Sequence, residues 1–444
     1  MNIEQFKDLT EKIVEYSLKR GADDAIVNSY RTDTRQIRFS ENSIDIFNRW
    51  DETYFHLFLS MKRKVVSTTI KAADNFRRIV DGAIRTAEAS QPSEDYRGIA
   101  EKTNARSHAS KWKPVPDRVL ADYVAEAIRA SADNGAHSAT GTLYNEHADH
   151  YLSTSNDIRK FENGSSFYMS IRCFADEDAS GHSVISSTSE KTFFPEKAAE
   201  KAAGLARQVR KPAGGLEGRF DSILDPMVVA TITSEVGSMS SAFNVLAGFS
   251  CFEGKVGKQV GSRQVTIEDD ATRDLNGKRY FDDEGAAVRR TRIVSEGILK
   301  GYLHNTSTAR KFRTRTTGNA GLIEPEAMSL SMKGGSESFE TMLGDMKDGL
   351  YINNVWYTRY QNSKLGNFST IPRDAILRVR RGEVIGSVRD IRITENLVSL
   401  LKKIKSVSRE REHINWWLES YTPSTVPYAL VGRLNITRSA DKGS

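Results

Sequence analysis

Cysteine is almost missing from this chain. Two stand among 444 residues, Cys173 and Cys251, far apart and without CxxC spacing. That excludes a disulfide framework and a thiolate zinc site, and it suits a reduced, cytoplasmic protein. Long apolar runs are missing too. No stretch approaches the roughly 18 residues that a membrane span needs. The opening "MNIEQFKDLTEKIVEY" has no basic stretch followed by an apolar block, so it is not a secretory signal. It reads instead as an amphipathic helix with Phe6, Leu9, Ile13 and Tyr16 on one stripe. Neither sign of charge dominates: 64 Lys and Arg against 58 Asp and Glu leave +6, with acids and bases interspersed. Nucleic-acid binding is disfavoured on that ground. Nor is there a Ser–His–Asp arrangement, a GxSxG or an HExxH.

What is present is a soluble, globular composition, with 38% apolar and 27% charged residues. The length implies two or three domains. The first half reads as one unit used twice. Unit one (1–95) opens with a helix at 3–20 stopped by Gly21. Short extended runs follow: "DAIVNSY", "TRQIRF", "SIDIF", "TYFHLFLS" and "KVVSTT". A helix over 72–89 closes the unit. Unit two (112–212) repeats the order after a linker with Pro114 and Pro116. A helix carries Leu120, Val124, Ala127 and Ile128. Strands follow around "TGTLY", "DIRKF", "SSFYMSIRCF" and "HSVISST", and then a helix over 195–210. The echoes "FSENSIDIF"/"STSNDIRKF" and "KVVSTT"/"SVISST" support a duplication.

"KPAGGLEGRF" (211–220) marks a flexible boundary; its glycines precede no GKS/T and form no phosphate loop. The remainder (220–438) has one helical stretch over 226–246 and then becomes strand-rich. Hairpins are expected to turn near Gly297 and Gly382, and "TENLVSLLKKIKSV" reads as a late amphipathic helix. The tail "TRSADKGS" is expected to be disordered. The expected fold class is α+β: duplicated helix–antiparallel strands–helix units, then a barrel-like or sandwich-like domain.

Several clusters could carry chemistry. His147 and His150 in "EHADH" resemble a metal pair, but on a strand their odd separation sends them to opposite faces. His304 and His413 have no evident carboxylate partner. Asp269 and Asp270, then Asp282, Asp283 and Glu284, could hold a hard cation or do acid–base work. The plainer reading is turn chemistry, with Asp capping its own backbone and Gly285 at positive φ. "RTRTTGNAG" (313–321) could form a backbone nest for a carboxylate or peptide carbonyl. "INWWLESY" is either a docking surface or core. "TITSEVGSMSS" (231–241) puts one carboxylate, Glu235, among hydroxyls on a helix.

Taken in order, "GKVGKQVGSRQVTIEDD", "FDDEGAAVRRTRIVSEGILKGYLHNTSTARKF", "TTGNAG", "GLYINNVWYTRYQN" and "RRGEVIGSVRDIRITENLVSLLKKI" resemble the TldD/PmbA (TldD/TldE) metalloprotease family over roughly 225–435. The resemblance implies a cytoplasmic heterodimeric peptidase acting on unfolded or extended peptides in a closed chamber. It implies that a TldD-like subunit binds zinc through an HExxxH helix and a distant cysteine, and that a TldE/PmbA-like subunit lacks those ligands. Aligning the shared Val-Gly puts Thr233 and Ser238 at the histidine positions and Ser234 at the glutamate. Glu235 is then one position off and reads as an incidental helix residue. "EHINWWLESYTPSTVPYALVGRLNIT" offers no cysteine. The expectation is a non-catalytic subunit with no metal or cofactor of its own, zinc residing in a TldD-like partner. A homodimer is the alternative assembly, and no membrane is involved. Asp282, Asp283, Glu284, Thr317, Gly318 and Asn319 are the chamber-lining candidates. Two other readings stay open: a carboxylate-and-metal hydrolase, or a binding module in modified-peptide biosynthesis.

Overall fold

The structure is a computed structural model that describes residues 1–209, 212–273, 278–416 and 418–438. The tail beyond 438 lies outside the described residues. The first half is α1 (Ile3–Lys19), β1 (Asp24–Ser40), β2 (Ser43–Met61), β3 (Lys64–Ile70) and α2 (Phe76–Ala89). The order then repeats as α3 (Asp117–Asp133), β4 (Ser138–Thr154), β5 (Arg159–Asp176), β6 (Ala179–Ser187) and α4 (Pro195–Gln208). The two units share one antiparallel sheet, β3-β2-β1-β4-β5-β6, joined where β1 pairs β4. The order reads the same outward from the β1–β4 seam in both directions.

Unit one packs Val27, Phe55, Leu57 and Leu59 on Phe6, Ile13, Val80 and Ile84. Unit two packs Leu143, Met169 and Ile171 on Leu120, Val124, Ala199 and Ala202. Fully burying each such side chain stabilises the fold by about 1.5–3 kcal/mol. "DAIVNSY" and "TRQIRF" are one strand rather than two, because β1 has a paired neighbour on each side through the polar stretch between them. Backbone pairing of this kind overrides a weak hydrophobic signal.

The second half comprises β7 (Ala213–Gly214), β8 (Gly218–Leu224), α5 (Pro226–Met239), α6 (Ala242–Leu246), β9 (Ile267–Asp269), β10 (Thr291–Ser295), β11 (Ile298–Leu299), α7 (Thr306–Lys311), β12 (Leu330–Met332) and α8 (Phe339–Gly344). Then come β13 (Asp348–Asn362), β14 (Asn367–Arg380), β15 (Glu383–Arg389), β16 (Ile391–Asn396), α9 (Leu397–Lys403), β17 (Ile404–Trp416) and β18 (Ser420–Arg438). Its sheet runs β11-β10-β9-β12-β18-β8-β13-β14-β15-β7, with β16 on both β14 and β18 and β17 on β18. The pairings β18–β8–β13–β14–β16–β18 therefore close a ring, the barrel expected of this half.

The hairpins turn at Gly297 (φ +78°) and Gly382 (φ +77°). The late helix is only α9, because "ITEN" and "IKSV" are claimed by β16 and β17. The helical stretch 226–246 breaks between α5 and α6, where Ser241 bridges to Leu303. Trp416 is fully buried, so this part of "INWWLESY" is core.

Candidate functional site

Helix α5 begins at an Asp225 N-cap, whose carboxylate accepts from Met227 N at 2.9 Å, with Pro226 in the first turn. Asp225 also takes the Tyr351 hydroxyl at 2.6 Å and Lys201 Nζ at 2.9 Å. The same Nζ reaches Glu412 of β17 at 2.8 Å, so Lys201 ties α4 both to the start of α5 and to β17. Met227, Val228, Val229, Ile232, Val236 and Met239 are all buried, so the helix is apolar around most of its circumference. Gly237 is required by close packing: a Cβ there would stand 2.9 Å from Ala327 Cβ and 3.0 Å from Leu330 Cδ1.

The three positions marked out in the sequence sit on this helix. Thr233 is buried and donates to Val229 O at 2.7 Å. Ser234 is buried and faces the opening residues of β18: Ser420 Oγ at 3.3 Å, and Thr422 O and Thr422 N at 3.4 Å each. Ser238 is exposed on the last turn. Segments 186 residues apart thus meet here, and they meet through hydroxyls and backbone. Zinc takes imidazole, thiolate and carboxylate ligands. Thr233 and Ser238, at the histidine positions, supply only neutral hydroxyls, one of them already bonded to Val229 O, so this donor set does not fit zinc.

Glu235 differs from its expectation as an incidental residue. It lines an enclosed, nearly apolar cavity of about 10 Å³, room for one water, inside the β-ring with Leu224, Ile232, Val355, Tyr360 and Phe368. Burial pushes its carboxyl up to about 7, against a weaker lowering by Tyr360. The Tyr360 hydroxyl beside it is buried and closes no hydrogen bond of ordinary geometry.

The acidic turns and the "TTGNAG" loop come together on the other side of β9. Asp282 is fully buried and accepts from Ala286 N (2.8 Å), Ala320 N (3.0 Å) and Glu284 N (3.1 Å). The carboxylate that this loop receives is therefore the chain's own. Asp269 accepts from Ser329 N (2.7 Å), Met328 N (2.9 Å) and the Asn319 amide, and burial pushes it up to about 6. Glu284 accepts from Thr306 N at 3.2 Å. Burial raises both Glu284 and Asp282, and Asp282 raises Glu284 further, so this carboxyl pair titrates well above the ordinary carboxylate range. Thr317 Oγ1 accepts from His304 N at 2.8 Å. Gly318, at φ +70°, has no room for a Cβ, which would lie 2.3 Å from Ala287 O.

Asp283 turns toward Arg279 Nη2 at 3.3 Å, and its carbonyl accepts from Asn28. Arg279 in turn reaches Glu162 at 2.7 Å, joining these loops to the first sheet. This junction, which includes His150 stacked on Tyr30 at 4.4 Å, had no sequence motif to announce it. His147 lies apart, stacked on Trp112 at 4.1 Å. Among the described residues no group of three or more His, Cys, Asp or Glu is arranged to hold a metal.

Residues 217–438 match the family model described as the PmbA/TldA metallopeptidase C-terminal domain. That is half of the chain, and the protein belongs to the PmbA/TldD metallopeptidase family. It is 34% identical over 204 residues to a metalloprotease of Methanocaldococcus jannaschii, covering 44% of this chain and 45% of the relative. It is 28% identical over 170 residues to a metalloprotease TldD homolog of Haemophilus influenzae, covering 37% and 35%. The chain spans about half the length, or less, of these curated relatives. The solved structure of TldE from Thermococcus kodakarensis superposes with a TM-score of 0.80 at 17% identity, over 97% of this chain and all of that one, which establishes a shared fold. Among the described residues no helix is long and apolar enough to cross a membrane.

Proposed function

We propose that this chain is the TldE-like, non-catalytic subunit of a TldD/TldE-type zinc peptidase. One observation carries the reading. The positions on α5 where the family resemblance implies zinc-binding histidines hold Thr233 and Ser238, and Ser234, at the position of the general base, is spent on Ser420 and Thr422 of β18. A hydroxyl in an apolar setting generates no metal-bound hydroxide, so hydrolysis requires a partner's zinc. The role left to this chain is to complete the chamber and to guide an extended peptide of a cytoplasmic substrate. The loops around Asp282, Asp283, Glu284, Thr317, Gly318 and Asn319 are rigid enough to serve as wall. The rival reading of these carboxylates as a hard-metal centre is weakened by their bonding, since Asp282 and Asp269 each accept from two or more backbone N–H groups.

The test is co-purification with a TldD-like subunit, followed by peptidase assays on an unfolded peptide and metal analysis of each subunit. Activity and zinc should reside with the complex and the partner. Zinc-dependent or metal-free cleavage by this chain alone would overturn the proposal.

A further inference from the structure

The face of the first sheet that turns away from the helices is built over at both ends by the second half of the chain. At one end Asn28 donates to Asp283 O at 3.0 Å and Arg279 reaches Glu162. At the other, His182 N donates to Asn353 Oδ1 at 3.0 Å and Arg172 pairs with Asp374 at 2.7 Å. Between these ends Glu52, Gly164 and Ser166 are exposed, and Tyr54, Glu146 and Ala148 are half-buried, so solvent reaches the sheet there.

Strand alternation decides what this open stretch presents. Val27 and Ile37 of β1, Phe55 of β2 and Leu143 of β4 pack on the helices, so Thr32, Thr34, Glu52, Tyr54 and Glu146 take the opposite face. Register sets Glu52 opposite Thr32 and Glu146 opposite Thr34. The two carboxylates thus flank β1 from either side, with Thr32 between them. Thr34 Oγ1 donates to Glu146 Oε2 at 3.0 Å, which holds that side chain toward β1 and leaves its second oxygen without a partner. Thr32 is 7% exposed, and its hydroxyl closes no hydrogen bond among the described residues. A hydroxyl so deeply buried ordinarily has a partner.

An aromatic ring completes the stretch. Tyr54 stacks on Tyr30 at 5.3 Å, and the His56 ring meets it edge-on at 5.1 Å. His56 follows Tyr54 by two residues on the strand and Glu52 precedes it by two, so packing leaves the ring free on the Glu52 side. Burial holds the Tyr54 hydroxyl above its ordinary value, and Glu146 and then Glu52 add to it, so both carboxylates lie within electrostatic reach of the ring. Neither carboxylate has an ion pair among the described residues. Arg279, in the adjoining loop, is taken by Glu162 and Asp283. Arg38 shares the face but stands four residues beyond Thr34, about 13 Å along β1. No group of three or more His, Cys, Asp or Glu among the described residues is arranged for a metal. An organic cation fits instead: the ring attracts an ammonium or guanidinium, the carboxylates take charge-assisted hydrogen bonds, and the Thr32 hydroxyl accepts one more N–H.

We propose that Glu52, Glu146, Tyr54 and Thr32 form a subsite for a lysine or arginine side chain of an extended peptide, so that this chain favours basic substrates. That the cation belongs to a peptide rests on the peptidase reading; the preference for a cation rests on the sheet face alone.

Fluorescence anisotropy on the full chain tests the subsite, using short unstructured peptides that differ only in a central lysine, norleucine or glutamate. Circular dichroism confirms that each variant folds. The lysine peptide should bind about tenfold tighter than the norleucine peptide, and the glutamate peptide more weakly than either. E52Q/E146Q preserves size and should bring the lysine and norleucine peptides to within about twofold of each other. Y54L and T32V should each remove about threefold of the preference. Equal binding of lysine and norleucine peptides by the wild type would overturn the proposal, as would a preference that survives E52Q/E146Q. With a TldD-like subunit added, KM reads the same preference. A complex that cleaves both peptides with equal KM sinks the subsite and leaves the peptidase reading standing. A complex that cleaves neither, while the chain still prefers lysine, sinks the peptidase reading and leaves the subsite.

Discussion

Two polar clusters of the second half invite comparison. The loops around Asp269 and Asp282 bury carboxylates and satisfy them with backbone N–H groups from several segments. Helix α5 leaves Glu235 half-buried at an apolar cavity, beside a buried Tyr360 hydroxyl that closes no hydrogen bond of ordinary geometry. The first cluster is a joint and the second is a flaw, energetically. A buried polar group stabilises a fold when its partners are complete and costs stability when they are not.

The largest effect should come from breaking the joint. Asp282→Ala removes the acceptor of three buried N–H groups and should cost about 3 kcal/mol or more in chemical denaturation. Asp269→Ala, which frees two N–H groups and the Asn319 amide, should cost about 2–3 kcal/mol by the same measure. Retention of full stability by either would end the comparison.

Repairing the flaw should have the opposite sign. The Glu235 carboxyl titrates near 7 in the folded chain and near the ordinary glutamate value when unfolded. Between those values the native state holds a proton that the unfolded state has released. Stability from this group is therefore full below the lower value, falls as pH rises through the window and is flat above about 7. Glu235→Gln removes the dependence. Its advantage over wild type should be near zero at about pH 4 and reach about 2 kcal/mol by about pH 8. Denaturation at the two pH values checks this, and a pH-independent difference would place Glu235 in water.

The hydroxyls sharpen the comparison from its weak end. Ser234→Ala loses one set of long contacts and should cost about 1 kcal/mol. Ser238→Ala, at an exposed position, should change stability by less than about 0.5 kcal/mol.

Where the sequence was legible, local patterns and the tertiary answer agreed. The α1 stripe of Phe6 and Ile13 is buried, and both hairpins turn at their glycines. The duplicated order of helices and strands was readable because each unit repeats the same amphipathic elements. The C-terminal motif set was readable because several motifs in order seldom coincide by chance. Other features were invisible for identifiable reasons. Polar residues 31–33 gave no strand signal, yet pairing on both sides makes them the middle of β1. Strand pairing from 186 or more residues away brought Ser420 to Ser234, and local periodicity carries no trace of such contacts. Glu235 looked incidental because its burial comes from a ring closed by β16, a partner not visible in residues 231–241.

By itself, the sequence determined the helices of the first half, the turns, the family and the absence of imidazole at 233 and 238 and of a carboxylate at 234. These depend on residue type and short spacing. The tertiary structure alone decided which carboxylates are satisfied, which is strained toward protonation, and which are left without a cation. These depend on what stands opposite each group in space, because the energy of a polar group is set by its partners and its access to water.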